Sequence, residues 1–347
     1  MRLVTVLPPA GGAGGEAPGH VAILLESGAA LTLSALARIA GWPVSDSIDQ
    51  LTLAELLAAD PELGAIRGAF KAAAAGALAE AATPAGSFRF GPPIPRPGKV
   101  IGVGYNYLEH IREQGLERPI RPILFSMFAN AVTSDGEPIR HPAGTHALDL
   151  EAELAVVIGR RASRVRPEAA LRHVAGYTAA NDVTARDWQG QAKALRPGEK
   201  GDGQWLRAKG SDTFLPLGPV LVTADELGDG RGLAVRSWRT AAAGPDAGNP
   251  YQMQDGRSDD VLFSVADLIS IISQEVALDP GDVIITGTPS GVGVFRDPQI
   301  FLEPGDIVKV DVERIGSLTN PITDENGHAP DGTPAARFMA ARAAQRI

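Results

Sequence analysis

Residues 151–158 read Glu-Ala-Glu-Leu-Ala-Val-Val-Ile, a β-branched apolar segment entered through two alternating glutamates. This pattern predicts a strand running into a core. Residues i and i+2 of a strand point to the same face, so Glu151 and Glu153 share one. Two carboxylates on one face beside a core are costly unless something positive sits between them. A hard divalent cation is the natural candidate, because Mg²⁺ and Ca²⁺ take oxygen ligands. Taken alone, the pair reads more simply as the wet side of a half-buried strand. The rest of the chain shifts that balance.

At 347 residues the chain is long enough for one large domain, or a large one with a small companion. Its net charge of −9 argues against a general binder of nucleic acid or anionic membrane, which would carry a basic stripe. Without cysteine there is no disulfide, no thiolate nucleophile and no cysteine metal site. The expectation is a cytoplasmic protein with neither signal peptide nor membrane span. Gly 40 and Pro 27 predict many turns between short strands.

Residues 1–95 read as a small N-terminal unit. Short strands are expected at Leu3–Leu7 and Val21–Leu25, around a glycine-rich turn at Gly11–Gly15. A capping box at Thr52-Leu-Ala-Glu55 opens a short helix, and Ala69–Ala82 reads as another. Four prolines between Pro92 and Pro97 predict a stiff, extended linker. Beyond it, Lys99–Tyr105 is a strand feeding a short polar helix or lid at Asn106–Glu113. Strands follow at Ile123–Phe128, Glu153–Ile158, Val174–Ala179, Pro219–Thr223, Leu233–Trp238, Val283–Thr286 and Ile307–Val312. Ser264 N-caps a helix to Val276. Asp279-Pro-Gly-Asp and Glu303-Pro-Gly-Asp repeat one device, a Pro-Gly turn launching a buried strand. A tail after residue 325 ends in a helix over Ala335–Ile347.

Asn181-Asp182 follows a strand, and Asp182 could add a third carboxylate to the glutamate pair or simply begin a turn. Lys209 near a metal could polarise a carbonyl or stabilise an enolate, or be an ordinary surface lysine. The glycine-rich turn Thr286-Gly-Thr288-Pro-Ser-Gly291 could form a backbone anion nest. It is neither a Walker loop nor a dinucleotide fingerprint. His110 and Glu113, three apart, share a helix face. A carboxylate fixes an imidazole's tautomer and raises its basicity, which suits a general base; the plainer reading is an exposed helix pair. His141 and His146 sit in a Pro/Gly loop and are not expected to be ligands.

Five motifs recur in a telling order. They are Gly104-Tyr-Asn106-Tyr107-xx-His110, Asp149-x-Glu151-x-Glu153-Leu, Gly176-Tyr177 through Asn181-Asp182 to Arg186-Asp187, Lys209-xx-Asp212-Thr-Phe, and Pro280-Gly-Asp through Gly287-Thr288-Pro289-x-Gly291. Together, over residues 98–320, they resemble the fumarylacetoacetate hydrolase family. The resemblance implies a mixed, β-rich α+β fold: a catalytic β-roll over 96–325 behind a small N-terminal α/β domain. It implies a Mg²⁺ or Mn²⁺ site, with Ca²⁺ as a substitute, made by Glu151, Glu153 and Asp182. Lys209 would face the substrate oxygens. Arg186, Gln189, Tyr105 and the Thr288 turn would bind substrate, and His110 with Glu113 would activate water. A homodimer acting on a small 2-oxo or 2,4-dioxo acid is expected.

The first reading is hydrolysis of a carbon–carbon bond in a 2,4-dioxo acid of the acylpyruvate or fumarylacetoacetate type. An oxaloacetate-type decarboxylase, or an isomerase of 2-hydroxyhepta-2,4-diene-1,7-dioate, would use the same metal-held enolate. A binding protein without turnover is the reading of another class. Three departures stand out. Met127 replaces a lysine common in the family and would remove one cation from the site. Ser258 stands where threonine is usual. Residues 190–203 read as a polar insertion beside the site.

Overall fold

The computed structural model describes residues 1–9, 19–45 and 47–344. The expected turn at Gly11–Gly15 lies outside the described residues. Two sheets dominate. The larger runs in the order Ala30–Thr32, His20–Leu24, Arg2–Leu7, Leu215–Thr223, Val174–Asn181, Ala152–Ile158, Val283–Ile285, Val100–Gly104, Ile123–Met127. The smaller runs Pro250–Arg257, Ala234–Thr240, Ile307–Val312, Gly316–Thr323, Ile139–Arg140.

The Ala152–Ile158 strand lies at the centre and shows why its sequence does not alternate. Leu154, Val156 and Ile158 pack with Val235, Val310, Val312 and Leu318 of the smaller sheet. Ala155 and Val157 pack on the opposite face with Leu33, Leu36, Leu53 and Leu57 from the N-terminal helices. A strand covered on both faces needs apolar side chains at every position. No wet side exists there, so both glutamates enter buried surroundings.

The fold is a mixed α/β roll with a small N-terminal domain, as the resemblance implies. Hydrogen bonding continues from one part to the other. Arg2 and Leu3 pair with Val222 and Leu221, so the N-terminal strands extend the large sheet. The proline-rich stretch is extended but packed, not a free linker: Ile94 is fully buried among the residues between the two parts. The alanine-rich stretch forms two helices, Gly64–Ala72 and Ala75–Ala81, with extended backbone at Ala73 and Ala74. Both expected helix starts are capped. Thr52 with Glu55, and Ser264 with Asp267, form reciprocal capping boxes.

The repeated Pro-Gly-Asp device has one mechanism in both places. Asp282 accepts from the Asp279 N–H, and Asp306 from the Glu303 N–H, while Gly281 and Gly305 take the positive φ that such a turn requires. Each turn opens onto a strand of a different sheet. The strands Pro250–Arg257 and Gly316–Thr323 carry weak apolar signal and are visible only in the structure. The C-terminal helix spans Pro334–Ala344. No helix among the described residues is long and apolar enough to cross a membrane.

Candidate active site

Strand register assembles the acidic cluster. Ala152 pairs with Asn181, so Asp182 falls beside Glu151, and its N–H donates to the Glu151 carbonyl at 2.9 Å. The next strand, Val283–Ile285, delivers the Gly287 N–H to Glu153 Oε2 at 2.7 Å. Ligand atoms of Glu151, Glu153 and Asp182 all lie within 4.8 Å of one another, and all three residues are buried.

Two cations face this cluster. Lys209, at the end of the Trp205–Lys209 helix, donates to Asp182 Oδ2 at 2.6 Å, Thr184 Oγ1 at 2.8 Å and Glu151 Oε2 at 3.0 Å. Arg186 reaches Glu151 Oε1 at 2.6 Å and Asp149 Oδ2 at 2.9 Å. Asp149 also accepts from the Gly293 and Val294 N–H groups, so it ties the Arg186 side chain to the Gly293 turn. Lys209 is thus a buried partner of the acids rather than a surface lysine.

The charges do not balance. Asp149, Glu151, Glu153 and Asp182 are buried against only Lys209 and Arg186. Burial raises the Glu151 carboxyl, but Lys209, Arg186 and His110 outweigh it and hold it at about 2. Burial drives Asp182 up to about 7, with Lys209 only partly offsetting it and Glu151 adding to the rise. Burial and the two neighbouring carboxylates push Glu153 well above the usual range. Asp182 Oδ1 is buried without a hydrogen-bond partner. A surplus of two carboxylates and an orphaned oxygen acceptor fit a divalent cation with oxygen ligands. The residues present therefore suit Mg²⁺ or Mn²⁺.

The cluster opens into a cleft. Glu151, Arg186, Lys209 and Thr288 line its inner side; Tyr105, His110, Gln114, Phe125, Gln189, Gln191 and Trp205 line the rest. His110 is buried at the start of the lid, with Nδ1 2.5 Å from Glu113 Oε1. Glu113 is fixed in turn by the Gly291 N–H at 3.0 Å, and the imidazole lies edge-on to Phe295. Asn106 pins the lid's base by donating to the Thr286 and Phe263 carbonyls. Tyr105, with φ of 55°, makes the turn from strand to lid and sets its ring against Trp205. A bulky residue at positive φ is strained, as happens where a fold fixes a side chain for use.

The structure brings Tyr105, His110, Glu151, Arg186, Gln189, Lys209 and Thr288 to one cleft, with Glu153 and Asp182 clustered on Glu151. Glu113 acts through His110, and the Thr288 hydroxyl is engaged with the Ala152 carbonyl and Gln254. Met127 does not face the cleft. It is buried in the apolar cluster under the small domain, so its lost charge is not missing from the cleft walls. Ser258 bridges the Gly230 carbonyl and the Leu233 N–H, a structural task. His141 and His146 stand apart from the carboxylates. Sequence reasoning passed over Asp149, although its place in Asp-x-Glu-x-Glu, every second residue of one segment, is a usable signal. Gln114, Phe125, Gln191 and Trp205 come from separated segments and carry no such signal.

A β-roll with buried carboxylates, paired cations and a held imidazole around one cleft defines an enzyme with a metal-capable centre. The model for the fumarylacetoacetate (FAA) hydrolase C-terminal region matches residues 99–323, and the chain belongs to this family. Among curated relatives, the oxaloacetate tautomerase fahd2, mitochondrial, of Xenopus laevis is 41% identical over 66% of this chain and 67% of its own. The human oxaloacetate tautomerase FAHD2A, mitochondrial, is 42% identical over 66% and 68%. Among solved structures, a fumarylacetoacetate hydrolase from Exiguobacterium antarcticum matches with TM-score 0.69 at 28% identity, covering 93% of this chain and 100% of that one. A 2-hydroxyhepta-2,4-diene-1,7-dioate isomerase from Mycobacterium marinum matches with TM-score 0.65 at 28% identity, covering 94% and 99%.

Proposed function

We propose that the protein is a metal-dependent tautomerase or isomerase that moves a proton on a small 2-oxo acid of the oxaloacetate type. The observation that carries this reading is the His110–Glu113 dyad, which lines the same cleft as the carboxylate–cation cluster. Relatives of 41% and 42% identity named oxaloacetate tautomerase favour it over carbon–carbon hydrolysis, the first reading of the sequence.

Glu151, Glu153 and Asp182 would hold a divalent cation, and the chemistry it would supply there is Lewis-acid polarisation of the 2-oxo group. The residues do the rest. Glu113 accepts from Nδ1–H and leaves Nε2 as the basic nitrogen of His110. Nε2 takes a proton from C3 of the keto acid to leave an enolate, whose oxygen takes a proton from solvent to give the enol; in the reverse direction the enol oxygen gives its proton to solvent and the imidazolium returns one to C3. The imidazolium formed meanwhile is stabilised by Glu113. Arg186 Nη2 is a buried donor without a protein partner, free to receive substrate oxygen. Arg186 and Lys209 both stay charged, because their acidic neighbours outweigh the cost of burial. They oppose negative charge as it develops on the enolate oxygens.

Hydrolysis keeps one argument of its own: the likeness to a fumarylacetoacetate hydrolase over the full fold. The same dyad would then deprotonate water. Exposed Ile123, Leu124 and Phe128 along the edge strand support the expected homodimer.

The test is ketonisation of enol-oxaloacetate followed by ultraviolet absorbance, with mass analysis of products. The expected result is acceleration that disappears with EDTA and falls by about 10²–10⁴-fold in His110→Ala. Release of pyruvate and a second acid from 2,4-dioxo acids, without accelerated ketonisation, would overturn the reading in favour of hydrolysis. Carbon dioxide from oxaloacetate would point to the decarboxylase.

A further inference from the structure

The outer part of the cleft carries an aromatic wall built on bare backbone. Gly102 and Gly104 stand two apart on the strand Val100–Gly104, so they share a face. Phe125 pairs directly across from Gly102 on the edge strand, and a Cβ at Gly102 would collide with its ring. A Cβ at Gly104 would stand 3.3 Å from the Trp205 ring. The Phe125 and Trp205 rings meet with centroids 5.3 Å apart, and Tyr105 sets its ring edge-on to Trp205 at 6.3 Å. All three rings are half-buried and line the cleft.

This wall begins at the charged cluster. Trp205 and Lys209 open and close one short helix, four residues apart on one face, and the Lys209 ammonium lies 5.0 Å over the Phe125 ring. With the 2-oxo end of a substrate at Arg186 and Lys209, the group on C3 extends over Phe125 and Trp205. No spare cation meets it there. An ammonium has three N–H donors, and those of Lys209 are all taken by Asp182, Thr184 and Glu151. Arg186 spends Nε on Asp149 and Nη1 on Glu151, which leaves Nη2. One free cationic donor suits one carboxylate. Beyond it the cleft offers the three rings and the amides of Gln114, Gln189 and Gln191. A second carboxylate on the substrate would lose water there without gaining a charged partner. A flat, uncharged ring would pack on the aromatic wall at no such cost.

We propose that the cleft selects 2-oxo acids carrying a planar, uncharged ring on C3, the arylpyruvate class, over dicarboxylic 2-oxo acids, and that Trp205 determines this choice. The inference rests on the enolising reading given above. The proton route is unchanged: C3 gives its proton to His110, and the enolate oxygen takes one from solvent.

Calorimetry on the Mg²⁺-loaded protein tests it, with phenylpyruvate set against 2-oxoglutarate, a stable dicarboxylate that also has an enolisable C3. Phenylpyruvate should bind about tenfold more tightly. Trp205→Ala should weaken phenylpyruvate about tenfold and move 2-oxoglutarate by less than about twofold, and Trp205→Phe, which keeps a ring, should recover most of the loss. Equal or tighter binding of 2-oxoglutarate by wild type would overturn the inference, whether or not Trp205→Ala folds. Equal losses for both acids in a folded Trp205→Ala would overturn the role of Trp205. Ketonisation of enol-phenylpyruvate and enol-oxaloacetate, followed by ultraviolet absorbance, separates this inference from the reading beneath it. Preferential binding of phenylpyruvate with neither enol accelerated would sink the tautomerase and keep the selectivity of the wall. Accelerated enol-oxaloacetate without a preference for phenylpyruvate would do the reverse.

Discussion

The two walls of the cleft are built on opposite principles. The inner wall, Glu151, Glu153, Asp182, Arg186 and Lys209, rides on central strands and the elements joined to them, and every one of these charged groups is buried. The outer wall, Tyr105, Gln114, Gln191 and Trp205, comes from turns, loops and the ends of short helices and is uncharged. Charge inside a core is held only by charge placed to match it, so the inner wall tolerates almost no change. Uncharged groups at a rim can be exchanged with little effect on folding. One wall fits the chemistry common to enolising 2-oxo acids. The other is free to choose among them.

The largest break in that contrast should come from Lys209→Met. Glu151 and Asp182 would lose their shared cation, and the metal-free protein should lose about 3–5 kcal/mol of stability, measured by urea unfolding. Mn²⁺ should restore more stability to this variant than it adds to wild type. Glu113→Gln comes next. It keeps the size of the side chain but removes the carboxylate that orients His110, and kcat should fall by about 10–100-fold with Mn²⁺ affinity unchanged by calorimetry. A matching loss of metal affinity would show that the dyad and the cluster are not separable.

On the outer wall, Gln191→Ala and Trp205→Ala should move KM for different 2-oxo acids by about 10-fold and leave the melting temperature within a few degrees. Equal losses for every substrate would remove the distinction between the walls. The smallest effect lies away from both. Arg67 of the small domain grips Asp225 with bonds of 2.7 and 2.8 Å. Burial acts to raise Asp225, but hydrogen bonds from Arg67 and Thr223 win and hold it at about 2. A depressed carboxyl stabilises the fold above its unfolded value near about 4, and that stability is lost as pH falls toward the folded value. The pair is partly exposed, so Asp225→Asn should cost less than about 1 kcal/mol at neutral pH and nothing at the acid end of that window.

Part of the inner wall is legible in the chain because Glu151 and Glu153 are close in sequence and follow strand geometry. Glu151 and Glu153 are two apart, and Asp182 directly follows the strand Val174–Asn181 that pairs beside them. His110 and Glu113 share one helical turn for the same kind of local reason. Helix starts at Thr52 and Ser264 are legible because a capping box is a contact across three residues. The break at Ala73–Ala74 is not, since alanine carries no signal for stopping a helix. Neither is the strand Pro250–Arg257, a mostly polar edge segment that pairs with Ala234–Thr240 just before it in the chain.

Met127 marks the limit of reasoning from motif positions. Its identity suggested a charge missing from the cleft, but strand direction turns it into the apolar cluster instead. The sequence by itself determined that Glu151 and Glu153 share a strand face and that His110 and Glu113 share a helical turn, because spacing of two or three residues translates directly into a shared face, while Asp182 joined the set only through the family resemblance. Only the tertiary structure decided the charge balance around those acids, the burial of Lys209, and the joining of Gln114, Gln191 and Trp205 into one wall. Those depend on sheet register and on segments as much as 90 residues apart, which no local spacing can encode.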